Sequence, residues 1–98
     1  MAKAYWITTY RSVTNPDALA AYAKIAAPAI QAGGGKFLVR GMPAKTYEAG
    51  LNQRTVVIEF PSIAQAIATH EGPVYQEALR ALGKGNVERD MRLIEGAE

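Results

Sequence analysis

The chain has no cysteine and only one histidine among its 98 residues. Without cysteine there can be no disulfide, no thiolate metal site and no cysteine nucleophile. One histidine with no clustered carboxylates leaves no plausible ligand set for a metal, so none is expected, and no cofactor is implied. Long apolar runs are missing too. No stretch approaches the roughly 18 consecutive apolar residues of a membrane span. The opening residues, Ala2-Lys3-Ala4-Tyr5-Trp6, lack the apolar core of a signal peptide. Basic residues are scattered rather than grouped, and the net charge is only +2. Nucleic-acid binding therefore has no electrostatic footprint. These absences together predict a soluble cytoplasmic protein, since a cysteine-free sequence suits a reducing compartment.

What is present is an ordinary globular composition, with 49% apolar and 20% charged residues. The length suits one domain, residues 1–98, around one core. Residues 4–11, rich in aromatic and β-branched types, read as a first strand. Asn15-Pro16-Asp17 then signals a helix start, with a cap, a proline in the first turn and an acid at the positive end of the dipole. Leu19, Tyr22, Ala23, Ala26 and Ile30 form its apolar face. Pro28 falls within this pattern and predicts a kink or break near Ala27, with a short continuation to Ala32. The glycines at 33–35 end the helix.

Residues 36–41 read as a second strand, with residues 44–48 as its extension beyond Pro43 and a turn at 50–53. Residues 54–60 read as the third. Ser62 and Gln65 have the spacing of a capping box, and the helix they open breaks at Gly72-Pro73 before a second helical piece runs to Leu82. Residues 88–94 alternate as a fourth strand. The order β-α-β-β-α-β predicts an α+β, ferredoxin-like fold: a four-stranded antiparallel sheet with the helices on one face and the first and third strands central.

The third strand carries the strongest architectural statement. Val56, Ile58 and Phe60 share one face, and Val57 and Glu59 share the other. A sheet with one wet face would be polar at every second position. Both faces therefore need cover, and helices supply only one. A second copy of the chain, sheet against sheet, is the economical partner.

Several motifs also resemble a known family. Tyr5-Trp6, Gly34-Gly35-x-Phe37-Leu38-x-Arg40-Gly41, Glu59-Phe60-Pro61-Ser62, Pro73-x-Tyr75-Gln76 before Arg80, and Ile94-Glu95-Gly96 resemble the DUF1330 family in order and over almost the whole chain. The resemblance implies a dimeric α+β barrel, hence a homodimer. It carries over no catalytic residue, because the family is uncharacterised. His70 and Gly72 depart from its pattern, where an aromatic and a small polar residue are expected.

Five residues stand out as candidates. Arg40 and Glu59 are expected on one sheet face of neighbouring strands, as a bidentate pair that either lines a pocket, with Glu59 as base and Arg40 as anion anchor, or orients a dimer. His70 lies just before the Gly72-Pro73 break, with Glu71 beside it and Tyr75 five positions on, and is a candidate for proton transfer. A helix-end histidine more often caps carbonyls or faces solvent. Trp6, with Tyr5 and Tyr10, either lines an aromatic ligand pocket or belongs to the core. The function expected is small-molecule binding, between sheet and helices or between sheets. The alternative is a cofactor-independent isomerase or monooxygenase-like enzyme using Glu59, Arg40 and His70.

Overall fold

The computed structural model describes residues 2–97. Strand β1 spans Ala4–Val13, and helix α1 spans Pro16–Ala32. Strands β2, Lys36–Gly41, and β3, Thr55–Phe60, follow. Helices α2, Ile63–Glu71, and α3, Pro73–Leu82, precede β4, Val87–Glu95. All strand pairs are antiparallel in the order β2-β3-β1-β4. This is the ferredoxin-like α+β arrangement, with β1 and β3 central as expected and three helices rather than two.

Local chemistry accounts for the helix ends. Asn15 accepts the Ala18 amide at 3.1 Å, and Ser62 accepts the Gln65 amide at 3.2 Å. The second half of the capping box is used elsewhere: Gln65 Nε2 donates to the Gly33 carbonyl at 2.7 Å, tying α2 to the end of α1. Gly34, at φ 97°, makes the left-handed turn that leads from α1 into β2.

Helix α1 runs unbroken through Pro28 to Ala32, so the expected break near Ala27 does not occur. Pro28 and Lys24 both lie on the exposed side, where water can satisfy the Lys24 carbonyl that loses its donor. Tyr22, Ala26 and Ile30 stay buried at helical spacing. The extension of β2 over residues 44–48 is also absent. Pro43 cannot donate to a ladder, and Glu48 takes a positive φ of 53° within the 42–54 loop. No helix among the described residues is long and apolar enough to cross a membrane.

The core lies between the helices and one sheet face. Trp6, Ile58, Phe60 and Tyr75 are its largest fully buried side chains. Trp6 meets the edge of Tyr75 at 4.9 Å and stacks near Phe60 at 6.0 Å. Antiparallel register converts the strands into rows across this face. One row is Phe37, Ile58, Trp6 and Leu93, and the next is Arg40, Val56, Thr8 and Met91. The last contains Arg54, Tyr10 and Arg89, with the Tyr10 amide bonded to the Arg54 carbonyl at 3.0 Å.

The second row contradicts the expected Arg40–Glu59 pair. A β-bulge sets both Leu38 and Val39 against Val57, so Arg40 opposes Val56 and turns to the helix side. Glu59 faces the other side. There it meets Lys3 Nζ at 3.4 Å and accepts the Tyr5 hydroxyl at 3.5 Å.

Candidate functional site

Between α1 and the sheet lies a cavity of about 260 Å³. For scale, an apolar cavity of about 150 Å³ accepts benzene. Its far end is built by Trp6, Phe37 and Ile58 from the sheet with Ala26 and Ile30 from α1. Its near end is built by Arg54, Arg89, Tyr10 and Tyr22, and Arg40 lies on the wall between the two ends, over Phe37. The row geometry explains this polarity. Tyr10 lies four residues from Trp6 on one strand, roughly 13 Å at about 3.3 Å per residue. The cavity is therefore apolar at one end and cationic at the other.

Two of the three guanidiniums are held by aromatic neighbours. Arg40 lies over the Phe37 ring at 4.5 Å, a contact that the bulge creates. Arg89 lies over Tyr22 at 4.8 Å and donates from Nη1 to the Tyr10 hydroxyl at 3.1 Å. Burial disfavours the charge on Arg89, but the phenols of Tyr22, Tyr75 and Tyr10 more than reverse this, so its pKa is raised. No Asp or Glu is found among the residues lining the cavity, so none of the three cations is neutralised from within it.

Behind this wall, Tyr22 and Tyr75 share a hydroxyl–hydroxyl hydrogen bond of 2.6 Å. Burial, reinforced by Tyr22, pushes the Tyr75 phenol far above its usual pKa, and burial raises Tyr10 against the opposing charge of Arg89. Both phenols stay protonated at any physiological pH.

The five sequence candidates are thus divided. Trp6 and Arg40 line the cavity. Tyr75 supports it from behind, through Tyr22. Glu59 and Tyr5 lie on the opposite sheet face. His70 lies behind Trp6, ring centroids 5.2 Å apart, and borders a separate surface hollow with Ile67, Glu71, Met91 and Leu93. Its contact with Tyr75 is ring on ring at 4.9 Å, while the Tyr75 hydroxyl bonds Tyr22. Glu59, Arg40 and His70 therefore do not form one site within the chain. Arg54, Arg89 and Tyr22 were missed, although Arg54 and Arg89 occupy the core-facing parity of their strands, which was visible in the sequence.

His70 carries a pH prediction. Burial lowers its pKa, and Arg89 from β4 lowers it further against the opposing pull of Glu71. The unfolded chain then binds this proton more readily than the folded one. Stability is therefore complete above the ordinary histidine pKa and falls as pH drops below it. The thermal midpoint should drop by a few degrees between about pH 7 and about pH 5, and His70→Gln should flatten that slope. An unchanged slope in the variant would assign the loss to other groups.

Residues 3–97 match the model of a family described as a domain of unknown function, DUF1330. Among curated proteins none matches. The solved structures that resemble the fold include RPA0582, a protein of unknown function from Rhodopseudomonas palustris, at TM-score 0.73 and 20% identity, covering 99% of this chain and 84% of that one. A methylated RPA0582 structure gives TM-score 0.76 at 19% identity, with 99% and 82% covered. A candidate antibiotic biosynthesis monooxygenase from Caulobacter crescentus CB15 gives 0.62 at 14%, with 99% and 92% covered. A dimeric ferredoxin-like protein of unknown function from Thermobifida fusca YX gives 0.54 at 14%, with 97% and 92% covered. At these identities the likeness is one of fold.

Proposed function

The chain belongs to the DUF1330 family, which carries no assigned role to borrow, and from its own cavity we propose that it binds small organic anions with an apolar body. The observation that carries this reading is the pairing of two guanidiniums, Arg54 and Arg89, at one end of the cavity with an apolar floor at the other, and a third, Arg40, on the wall between them. Clefts of this kind use a few convergent polar groups for orientation and apolar walls for affinity. An aryl-alkyl acid such as 3-phenylpropionate matches both ends, its head group at Arg89 and its ring toward Trp6 and Phe37. Binding needs no base, and the cavity presents only arginine, tyrosine and threonine as polar side chains.

The test is direct, because Trp6 is the only tryptophan and forms part of the wall. Titration with 3-phenylpropionate should change Trp6 fluorescence saturably, and calorimetry should give one site per chain. No response from either method would overturn the reading.

A separate observation supports a homodimer. Ile7 and Val57 are cross-strand partners on the face away from the helices, with Val39 beside them 49% exposed. We propose that a second copy covers this face; a solved neighbour of similar fold is described as dimeric. Light scattering at micromolar concentration tests it, and a monomer mass would reject it. With no cysteine to oxidise, the dimer suits the reducing cytosol, where we place it.

A further inference from the structure

The cationic end of the cavity contains two phenols, Tyr10 and Tyr22: the proton of Tyr10 has no partner within the protein, and that of Tyr22 has one in only one of two possible orders. Arg89 Nη1 donates to the Tyr10 hydroxyl at 3.1 Å. That oxygen is therefore an acceptor toward Arg89, and its own proton must point elsewhere. The second phenol, Tyr22, meets Tyr75 hydroxyl to hydroxyl at 2.6 Å. One of the two is the donor in that bond. Tyr75 is buried, only 1% exposed, and Tyr22 is its side-chain partner. Arg89, the cation beside Tyr22, has donors only, so neither phenol can give a proton to it. If Tyr22 donates to Tyr75, the Tyr75 proton finds no side-chain acceptor, since its other polar neighbour, Arg89, has donors only. If Tyr75 donates to Tyr22, the Tyr22 proton is free to face the cavity that Tyr22 lines. An acceptor placed in the cavity makes the second order better by one hydrogen bond.

We infer that Arg89, Tyr10 and Tyr22 form a clamp for an ionised carboxylate, and that Tyr75 is the positioning residue that aims the Tyr22 proton at it. The inference rests on the anion-binding reading above and narrows it to one head group. A carboxylate has about four lone-pair sites and no donor. Two guanidinium N–H groups in the fork geometry and two phenol O–H groups satisfy all four. An amide head group brings N–H donors into a ring of donors, and those contacts are lost or repulsive. The clamp therefore discriminates by hydrogen-bond polarity rather than by size, since acid and amide have nearly the same shape.

The experiment compares 3-phenylpropionate with 3-phenylpropanamide by Trp6 fluorescence and calorimetry. The wild-type protein should prefer the acid by about 10-fold or more, the scale of one hydrogen bond to a charged group. Tyr22→Phe should lower acid affinity about 10-fold and leave amide affinity almost unchanged. Tyr75→Phe touches no ligand, yet should shift the acid-to-amide ratio the same way by about 3-fold or more, because the proton of Tyr22 is no longer directed. Equal losses for acid and amide in either variant would mean that the pair only packs the wall, and would overturn the inference. Acid and amide binding equally well to wild type would overturn it without any variant, while leaving the cavity reading intact. Failure of both ligands to bind wild type would instead reject the cavity reading itself.

Discussion

Arg89→Met lowers the affinity for 3-phenylpropionate by about 10- to 100-fold, the range expected when a hydrogen-bonded charge partner worth about 1.5–3 kcal/mol is removed. Arg89 is half-buried and sits between two aromatic rings, so water and salt screen it less than a surface cation. Methionine is apolar and flexible enough to occupy the space beside Met91, which lies on the same side of β4. The fold should therefore survive. Arg89→Lys separates charge from shape: a lysine keeps the charge and loses the planar fork, and should fall between wild type and Arg89→Met. Arg92 gives the internal control. It is three positions away on the same strand, on the opposite face, and bonds Asp90 through Nε and Nη2 at 3.2 Å each. Arg92→Met should leave the titration unchanged. Equal weakening by the two substitutions would point to general electrostatic attraction and not to a clamp.

Ile7→Lys separates the two faces of the sheet. Ile7 pairs with Val57 at the middle of the two central strands, away from the cavity. In a monomer the new lysine reaches solvent at little cost. In a two-fold dimer each substitution appears twice across the same interface. An uncompensated buried charge costs about 3–5 kcal/mol, so dimer dissociation should become easier by at least about 100-fold. Sedimentation or light scattering across a dilution series would show it. Binding of 3-phenylpropionate should persist in the monomeric variant, because none of the residues lining the cavity lies on that face of β1. Loss of ligand binding together with the dimer would show that the cavity needs the second copy to hold its shape.

Legibility followed parity. Each strand that obeys strict alternation was readable from sequence, including the apolar character of both faces of β3. The same alternation places Arg89 with Met91 and Leu93, and Arg54 with Val56 and Ile58, on the core side. A charge in a core-facing position is a signal for a functional pocket, but it is a weaker mark along the chain than a single carboxylate in an otherwise apolar strand. Arg40 was a different kind of failure. One extra residue in β2 inverts its face, and nothing in Phe37-Leu38-Val39-Arg40 announces the bulge. Pro28 misled for a third reason: a proline breaks a helix by local rules, but the missing bond falls on the wet side here while tertiary packing holds the buried face. His70 and Tyr75 were close in space as expected, but sequence gives no rotamer, and the hydroxyl of Tyr75 points to Tyr22.

The bulge at Leu38 also matters for tracing the site through evolution. The extra residue is what puts three steps between Phe37 and Arg40 while both remain on one face and in stacking contact. A homologue that has lost it by a single-codon deletion would pair the remaining residues as here, with its arginine two steps from the phenylalanine and still turned to the cavity. A pattern search that demands fixed spacing would discard such a homologue, whereas one that allows a gap of one at this position would keep it. The arginine's lineage is thus better followed by the strand partner it faces, Val56, than by its place in the sequence.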